Sequence, residues 1–102
     1  MRVELTAKAE SDLRDIALFI AADSPARAMT FYGELRAVCL ELAKFPRRYQ
    51  VVRSLEGIEI RRRVYRNYVM LYRLYETRIV VLRVVRGSMD LDALFDEPGL
   101  ET

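Results

Sequence analysis

Arginine and tyrosine side chains are concentrated in the stretch "RRRVYRNYVMLYRLY" (residues 61–75), and these are the residues whose chemistry is most distinctive. Guanidinium groups bind phosphate and carboxylate through a planar fork of donors, and tyrosine rings beside them can stack on bases or hold cations. Between Phe45 and Ser88 the chain has eleven arginines against three glutamates, although its formal net charge is only +2. This local excess of positive charge predicts a surface that binds nucleic acid or an acidic peptide.

Groups that transfer protons at neutral pH are scarce in this chain. It has no histidine, which excludes His-centred triads and histidine zinc sites, and its single cysteine, Cys39, can form neither a metal cage nor an internal disulfide. Cleavage of RNA by a 2′-hydroxyl would need a general base and a general acid, and arginine serves poorly because it stays charged. The remaining candidates are Tyr65, Tyr68, Tyr72, Glu56 and Glu59. Binding is the simpler prediction, and no catalytic residue, metal or cofactor is assigned.

The first half of the chain predicts a strand followed by two helices. Residues 2–5 form the strand, and apolar residues then recur at helical spacing to about Ala22, with Thr6 as the N-cap. A second helix begins with Ser24 as its N-cap and Pro25 in its first turn, and Pro46 ends it. Since only a few residues separate the two helices, they are expected to form an antiparallel hairpin.

The second half alternates apolar and polar residues and predicts a three-stranded antiparallel sheet. The strands cover residues 58–65, 68–75 and 78–86, joined by two-residue turns. Residues 46–57 are interpreted as a connection with at most a short extended piece, and the residues Leu91, Leu94 and Phe95 predict a short C-terminal helix. The expected fold is a single α+β domain, residues 1–102, with an N-terminal strand and a helical hairpin packed on the C-terminal sheet.

The predicted register divides the residues of the sheet between two faces. It pairs Tyr65 with Tyr68, Arg61 with Tyr72, Tyr72 with Val81, and Met70 with Arg83. We expect the helical hairpin to cover the aliphatic face, which consists of Ile60, Val64, Val69, Leu71, Val80, Leu82 and Val84. The face expected to bind a partner carries Arg61, Arg63, Tyr65, Tyr68, Met70, Tyr72 and Arg83. The alternative is a solvated sheet face whose tyrosines only shield the backbone.

The order of elements and two motifs resemble the RelE/ParE toxins of bacterial type II toxin–antitoxin pairs. The stretch "GIEIRRRVYRNYVMLYRLY" is similar to the family's arginine strand and its "Y-x-[IV]-x-Y-R" strand, and "IVVLRVVRGSMD" is similar to "[IV]-x-[IV]-L-R-V-x-H-G-x-x-D". The "FP" after the second helix and "MDLDALF" near the end look most like the ParE branch. Arg86 departs from the pattern because many relatives have histidine there, and it joins the predicted binding residues.

The resemblance implies a toxin that is neutralised by a cognate ParD-like antitoxin, whose C-terminal segment wraps around it in a heterodimer or a larger hetero-oligomer. Toxins similar to ParE are associated with poisoning DNA gyrase, whereas the RelE branch cuts mRNA in the ribosome. The missing histidine favours gyrase. A ribosome-dependent endoribonuclease is the alternative, and an inert homologue that survives as a binding module is a third possibility.

The start of the chain, "MRVELTAKAE", lacks the apolar core of a signal peptide, and no apolar run approaches the length of a membrane span. The sequence therefore predicts a cytoplasmic protein without a membrane partner.

Overall fold

A five-stranded sheet with a helical hairpin on one side forms the fold in the computed structural model, which describes residues 1–97 apart from the side chain of Leu55. In chain order the elements are β1 (Arg2–Leu5), α1 (Ala7–Ala21), α2 (Pro25–Leu40), a 3₁₀ turn (Glu41–Ala43), β2 (Gln50–Leu55), β3 (Ile58–Tyr65), β4 (Tyr68–Leu74), β5 (Arg78–Arg86) and α3 (Leu91–Leu94). The strand order is β1-β5-β4-β3-β2, with β1 parallel to β5 and the other pairs antiparallel.

The helices begin at the predicted caps. The hydroxyl of Thr6 accepts a hydrogen bond from the Ala9 N–H at 3.0 Å, and that of Ser24 accepts one from the Arg27 N–H at 3.2 Å. The second helix ends earlier than predicted, at Leu40 instead of Pro46, and continues as the 3₁₀ turn. The tighter turn places Leu42 in the core, where it is fully buried.

The sheet has two more strands than the three predicted for the second half of the chain. The segment predicted to be a connection contains β2, which pairs with β3 through a two-residue turn whose φ angles are 53° at Glu56 and 81° at Gly57. Such a turn matches the twist of the flanking strands. The N-terminal strand is the fifth member, because β1 lies parallel to β5 with Leu5 opposite Val81.

A β-bulge in β5 shifts part of the predicted register by one residue. The pairs Arg61 with Tyr72 and Tyr72 with Val81 are confirmed, but Met70 lies opposite Val84 and not opposite Arg83. Backbone groups at the bulge form hydrogen bonds with the N-cap of α1 and with a residue of its second turn. The Thr6 hydroxyl donates to the Leu82 carbonyl at 3.0 Å, and the Asp12 carboxylate accepts from the Val84 N–H at 2.9 Å.

The helical hairpin covers the tyrosine face of the sheet, so the predicted assignment of the two faces is wrong. The core beneath the helices combines Leu13, Phe31, Leu35, Cys39 and Leu42 with the sheet residues Tyr68, Met70, Tyr72, Ile79 and Val81. The aliphatic face instead packs against the C-terminal segment through Ile60, Val69, Leu71, Leu82, Leu94 and Phe95. Tyrosine and methionine carry more apolar area than valine, and the tyrosine hydroxyls find partners, so this face suits the larger helical layer.

Candidate partner-binding surfaces

The structure brings most of the predicted binding residues together inside the protein. Tyr72 is fully buried, and Tyr68, Arg61 and Arg83 are 8%, 8% and 7% exposed. Arg63 and Tyr65 are half-buried, and Arg86 is exposed. Six of the seven are therefore buried or half-buried, and Arg86 is the one whose side chain is exposed.

Arg61 and Tyr72 hold the loop between the 3₁₀ turn and β2 from beneath. One guanidinium nitrogen of Arg61 donates to the carbonyls of Arg47 and Tyr49 at 2.9 and 2.7 Å, and the Tyr72 hydroxyl donates to the Pro46 carbonyl at 2.6 Å. Burial raises the pKa of Tyr72 to about 12, so its hydroxyl remains a donor at neutral pH. These two side chains thus fix three carbonyls of one loop.

Arg63 and Tyr65 connect β3 to α2. Arg63 donates to the Val38 carbonyl at 2.9 Å and to the Glu41 carboxylate at 3.2 Å, so it stabilises the C-terminal end of the helix. The Tyr65 hydroxyl donates to Glu34 at 3.2 Å. The Arg27 side chain, which also donates to Glu34, holds the pKa of that carboxyl below its usual value, against a smaller effect of burial.

Arg83 is held by two carboxylates of its own chain. Its Nε and Nη2 atoms lie 2.7 and 3.1 Å from the two oxygens of Asp12 on α1, and Nη1 contacts Glu97 after α3. The hydrogen bond to Asp12 is the main reason that the pKa of Arg83 is raised. Arg83, which lies beside the bulge in β5, therefore links α1 to the C-terminal segment.

Arg86 borders a cleft at the end of the sheet where the β3–β4 turn meets the end of β5. The cleft has a volume of about 530 Å³ and is lined by Phe19, Arg66, Asn67, Tyr68, Arg86, Gly87 and Ser88. The Arg86 guanidinium lies 4.7 Å from the ring centre of Phe19, which is 64% exposed. The Gly87 N–H donates to the Asn67 carbonyl at 2.8 Å, so the two walls are tied together.

An apolar groove runs along the outer side of the helical hairpin. Its volume is about 470 Å³, and it is lined by Arg14, Ala17, Leu18, Ala21, Pro25, Ala28, Met29 and Tyr32. Leu18 and Met29 are 70% and 79% exposed. Small residues on both helices leave a depression between these larger side chains, which is the shape that accepts the apolar stripe of another helix.

A third surface, which the sequence analysis did not single out, is the basic loop Lys44–Arg48. Lys44, Phe45, Arg47 and Arg48 are exposed, and an open concavity of about 480 Å³ lies among them. The sequence contained a signal for it, since no acidic residue occurs between Glu41 and Glu56. It was overlooked because the Arg–Tyr strands carry more charge.

Within residues 1–97, the structure shows no group of three acidic or cysteine side chains placed to hold a metal ion. Across the same residues, no helix is long and apolar enough to cross a membrane. Cys39 is fully buried, and burial raises the pKa of its thiol to about 11, which suits a packing role.

Comparison with known proteins identifies the family through one family model and shows a similar fold in a solved structure. Residues 3–91 match the family model of the ParE toxin of the type II toxin–antitoxin system, parDE. The fold is similar to a solved chain of the "Chromosomal ParDE TA system from P. aeruginosa", with a TM-score of 0.68, 19% sequence identity, and coverage of 84% of this chain and 95% of that chain. A search of curated proteins finds no significant match. Because the family model covers most of its length, this chain belongs to the ParE toxins of type II toxin–antitoxin systems.

Proposed function

We propose that this ParE-family toxin arrests growth in the cytoplasm by binding DNA gyrase and trapping it with its DNA cleaved, and that a ParD-like antitoxin prevents this. Membership of the ParE family is the observation that carries the proposal. The cleft at the end of the sheet supports it, because its ionisable side chains are Arg66, Arg86 and Tyr68. Arginine supplies positive charge but does not exchange protons at neutral pH. These groups suit binding to an acidic surface better than acid–base cleavage of RNA, and the ribonuclease alternative is not favoured.

The cleft around Arg86 is the proposed contact with gyrase. Arg86 and Arg66 present two cations on its rim, and the exposed ring of Phe19 lies beneath one of them. Arginine and aromatic side chains on a fixed backbone carry a large share of the binding energy in many interfaces. The hydrogen bond between Gly87 and Asn67 fixes the backbone here.

The groove on the helical hairpin is the proposed site for the antitoxin. An amphipathic helix could place its apolar side chains between Leu18 and Met29, and acidic residues on its flanks would meet Arg14. The groove and the Arg86 cleft have no lining residue in common. The antitoxin would then neutralise the toxin by wrapping around it or by sterically excluding gyrase from the cleft. The complex would be a heterodimer or a larger hetero-oligomer.

A plasmid-cleavage assay with purified gyrase tests the target. We expect the toxin to increase linear plasmid released by detergent and protease, and we expect Arg86→Gln to reduce that product about tenfold at equal concentration. Arg78→Gln is the matched control, since Arg78 is the first residue of β5 and also lies over an aromatic ring, that of Tyr75, at 4.8 Å. If the wild-type toxin does not increase linear plasmid, gyrase is not its target. If Arg86→Gln and Arg78→Gln reduce the linear plasmid equally, the cleft around Arg86 is not the contact with gyrase.

The antitoxin site is tested by measuring binding to the cognate ParD-like antitoxin. Met29→Glu places a charge in the apolar groove and should weaken the complex about tenfold or more. Met89→Glu, at an exposed methionine outside the groove, should leave the affinity unchanged. If the two variants bind the antitoxin equally well, the groove is not its site.

A further inference from the structure

The basic loop Lys44–Arg48 combines three cations with an exposed aromatic ring. Phe45 is 61% exposed, and the Arg48 guanidinium lies 5.5 Å from its ring centre. No carboxylate among residues 1–97 forms a salt bridge with Lys44, Arg47 or Arg48. Four other arginines (the exposed Arg2, Arg27 and Arg66 and the half-buried Arg78) each have a glutamate within 4 Å, whereas the exposed Arg14, Arg53 and Arg86 have none in the part of the chain that the structure describes. The charge of this loop is therefore not compensated by its own chain.

The loop is also fixed from beneath. Arg61 and Tyr72 occupy the carbonyls of Pro46, Arg47 and Tyr49, so these acceptors face the buried side of the loop. Carbonyl oxygens on the outer side of the loop would repel an anion. Because these three carbonyls point inward and accept hydrogen bonds from Arg61 and Tyr72, the cations dominate the outer surface of the loop. Because two buried side chains hold the backbone, less conformational entropy is lost when a ligand binds.

We propose that loop 44–48 binds single-stranded nucleic acid, with phosphates on Lys44, Arg47 and Arg48 and a base stacked on Phe45. Single strands are recognised by this combination of backbone cations and an aromatic platform, because every base has a flat face for stacking. Three of the five residues that line the concavity are cations, and Phe45 with Pro46 supplies its apolar surface as one flat platform. An acidic protein segment would instead need several apolar pockets for its anchoring side chains. The proposal does not depend on gyrase being the target.

Fluorescence anisotropy with a labelled single strand of about 12 nucleotides tests the proposal on the full-length toxin. Three phosphate contacts predict a slope of about −2 for log K against log salt, which is a loss of nearly twentyfold in affinity between about 50 and 200 mM salt. The variant Lys44→Gln, Arg47→Gln, Arg48→Gln should lose most of the binding and most of this slope. Phe45→Ala should weaken binding about fivefold or more and leave the slope unchanged.

Two further variants separate the loop from general charge and from misfolding. Arg2→Gln, Lys8→Gln, Arg78→Gln removes the same charge from the β1 side of the molecule and should bind the strand like the wild type. Tyr72→Phe keeps every cation and removes one hydrogen bond beneath the loop, so it should lower the affinity severalfold at an unchanged slope. Circular dichroism confirms that each variant is folded.

Several results would overturn the proposal. One is that the wild-type toxin does not bind the strand at all, and another is that the loop variant and the control variant lose the same affinity for it. A duplex that binds as tightly as the single strand, with an affinity that Phe45→Ala does not change, would also contradict base stacking. A loop variant that binds the strand normally but loses affinity for the antitoxin would assign the loop to an acidic protein segment instead.

Discussion

Replacement of Asp12 by alanine is expected to destabilise the protein strongly, because Asp12 is the main internal partner of Arg83. Its carboxylate accepts two hydrogen bonds from Arg83, at 2.7 and 3.1 Å, and one from the Val84 N–H at 2.9 Å. The side chains of Asp12 and Arg83 are only 8% and 9% exposed, so water has little access to replace these bonds. Breaking a buried pair on one side costs about 3–5 kcal/mol, and a buried N–H left without an acceptor adds to that.

Urea unfolding followed by circular dichroism measures the effect. A domain of this size has a free energy of unfolding of about 5–15 kcal/mol, so a loss of about 3 kcal/mol is a large fraction of it and lowers the thermal midpoint by about 12 °C or more. Glu10→Ala is the matched control. Glu10 lies on the same helix as Asp12, and its replacement removes the ion pair with Arg36 of α2 at 2.7 Å. This pair is more exposed and should contribute about 0–1 kcal/mol.

A double variant tests the same buried ion pair. Asp12→Leu combined with Arg83→Met removes both charges, and it should recover much of the stability that Asp12→Ala loses. If Asp12→Ala costs no more than Glu10→Ala, Arg83 is not held inside the protein in the way the geometry indicates. Arg83 would then return to the residues available to a partner.

Three other outcomes follow from buried groups and from the backbone. The folded pKa of Tyr72 (about 12) lies above the ordinary value of 10.0, so stability should fall as pH rises from 10.0 to about 12, and Tyr72→Phe should remove that part of the decline in alkaline unfolding curves. Cys39, buried and with a pKa of about 11, should react slowly with a thiol reagent until urea unfolds the chain, and rapid reaction of the native protein would contradict its burial. Gly33→Ala, in open space on α2, should stabilise the protein by about 0.5–1 kcal/mol. Gly57→Ala, at φ 81°, should destabilise it by about 1 kcal/mol, and the opposite order in thermal unfolding would refute the assigned backbone conformations.

The local elements could be predicted from the sequence because their signals are local. Thr6 and Ser24 cap the helices as expected, and the strands β3 and β5 have the predicted bounds. The bulge could not be predicted in this way, because the groups that stabilise it belong to Thr6 and Asp12, more than 70 residues away in the chain. The segment that contains β2 is interpreted from the sequence as a connection with at most a short extended piece, because its central apolar run, Val51 and Val52, is only two residues long and polar residues flank it.

The sequence prediction places the helices on the wrong face of the sheet because it chooses the core face by hydrophobicity alone. By hydrophobicity the aliphatic face is the better core. Tyr72, however, buries its ring while its hydroxyl donates to the Pro46 carbonyl, and the buried guanidinium of Arg61 donates to the Arg47 carbonyl of the same loop. Those partners lie in a loop whose position cannot be read from strand periodicity. Arg61 and Tyr72 therefore support the loop 44–48 from its buried side, whereas Arg86 and the cations of that loop are exposed.

We propose that this toxin acts on gyrase by stoichiometric binding and not by catalysis, and a titration of toxin against a fixed amount of gyrase and plasmid tests this most directly. We predict that the cleaved plasmid rises with the ratio of toxin to gyrase, stops rising once gyrase is saturated, and is covalently attached to gyrase. Cleavage that continues to accumulate at substoichiometric toxin, or that occurs with gyrase left out, would contradict the account.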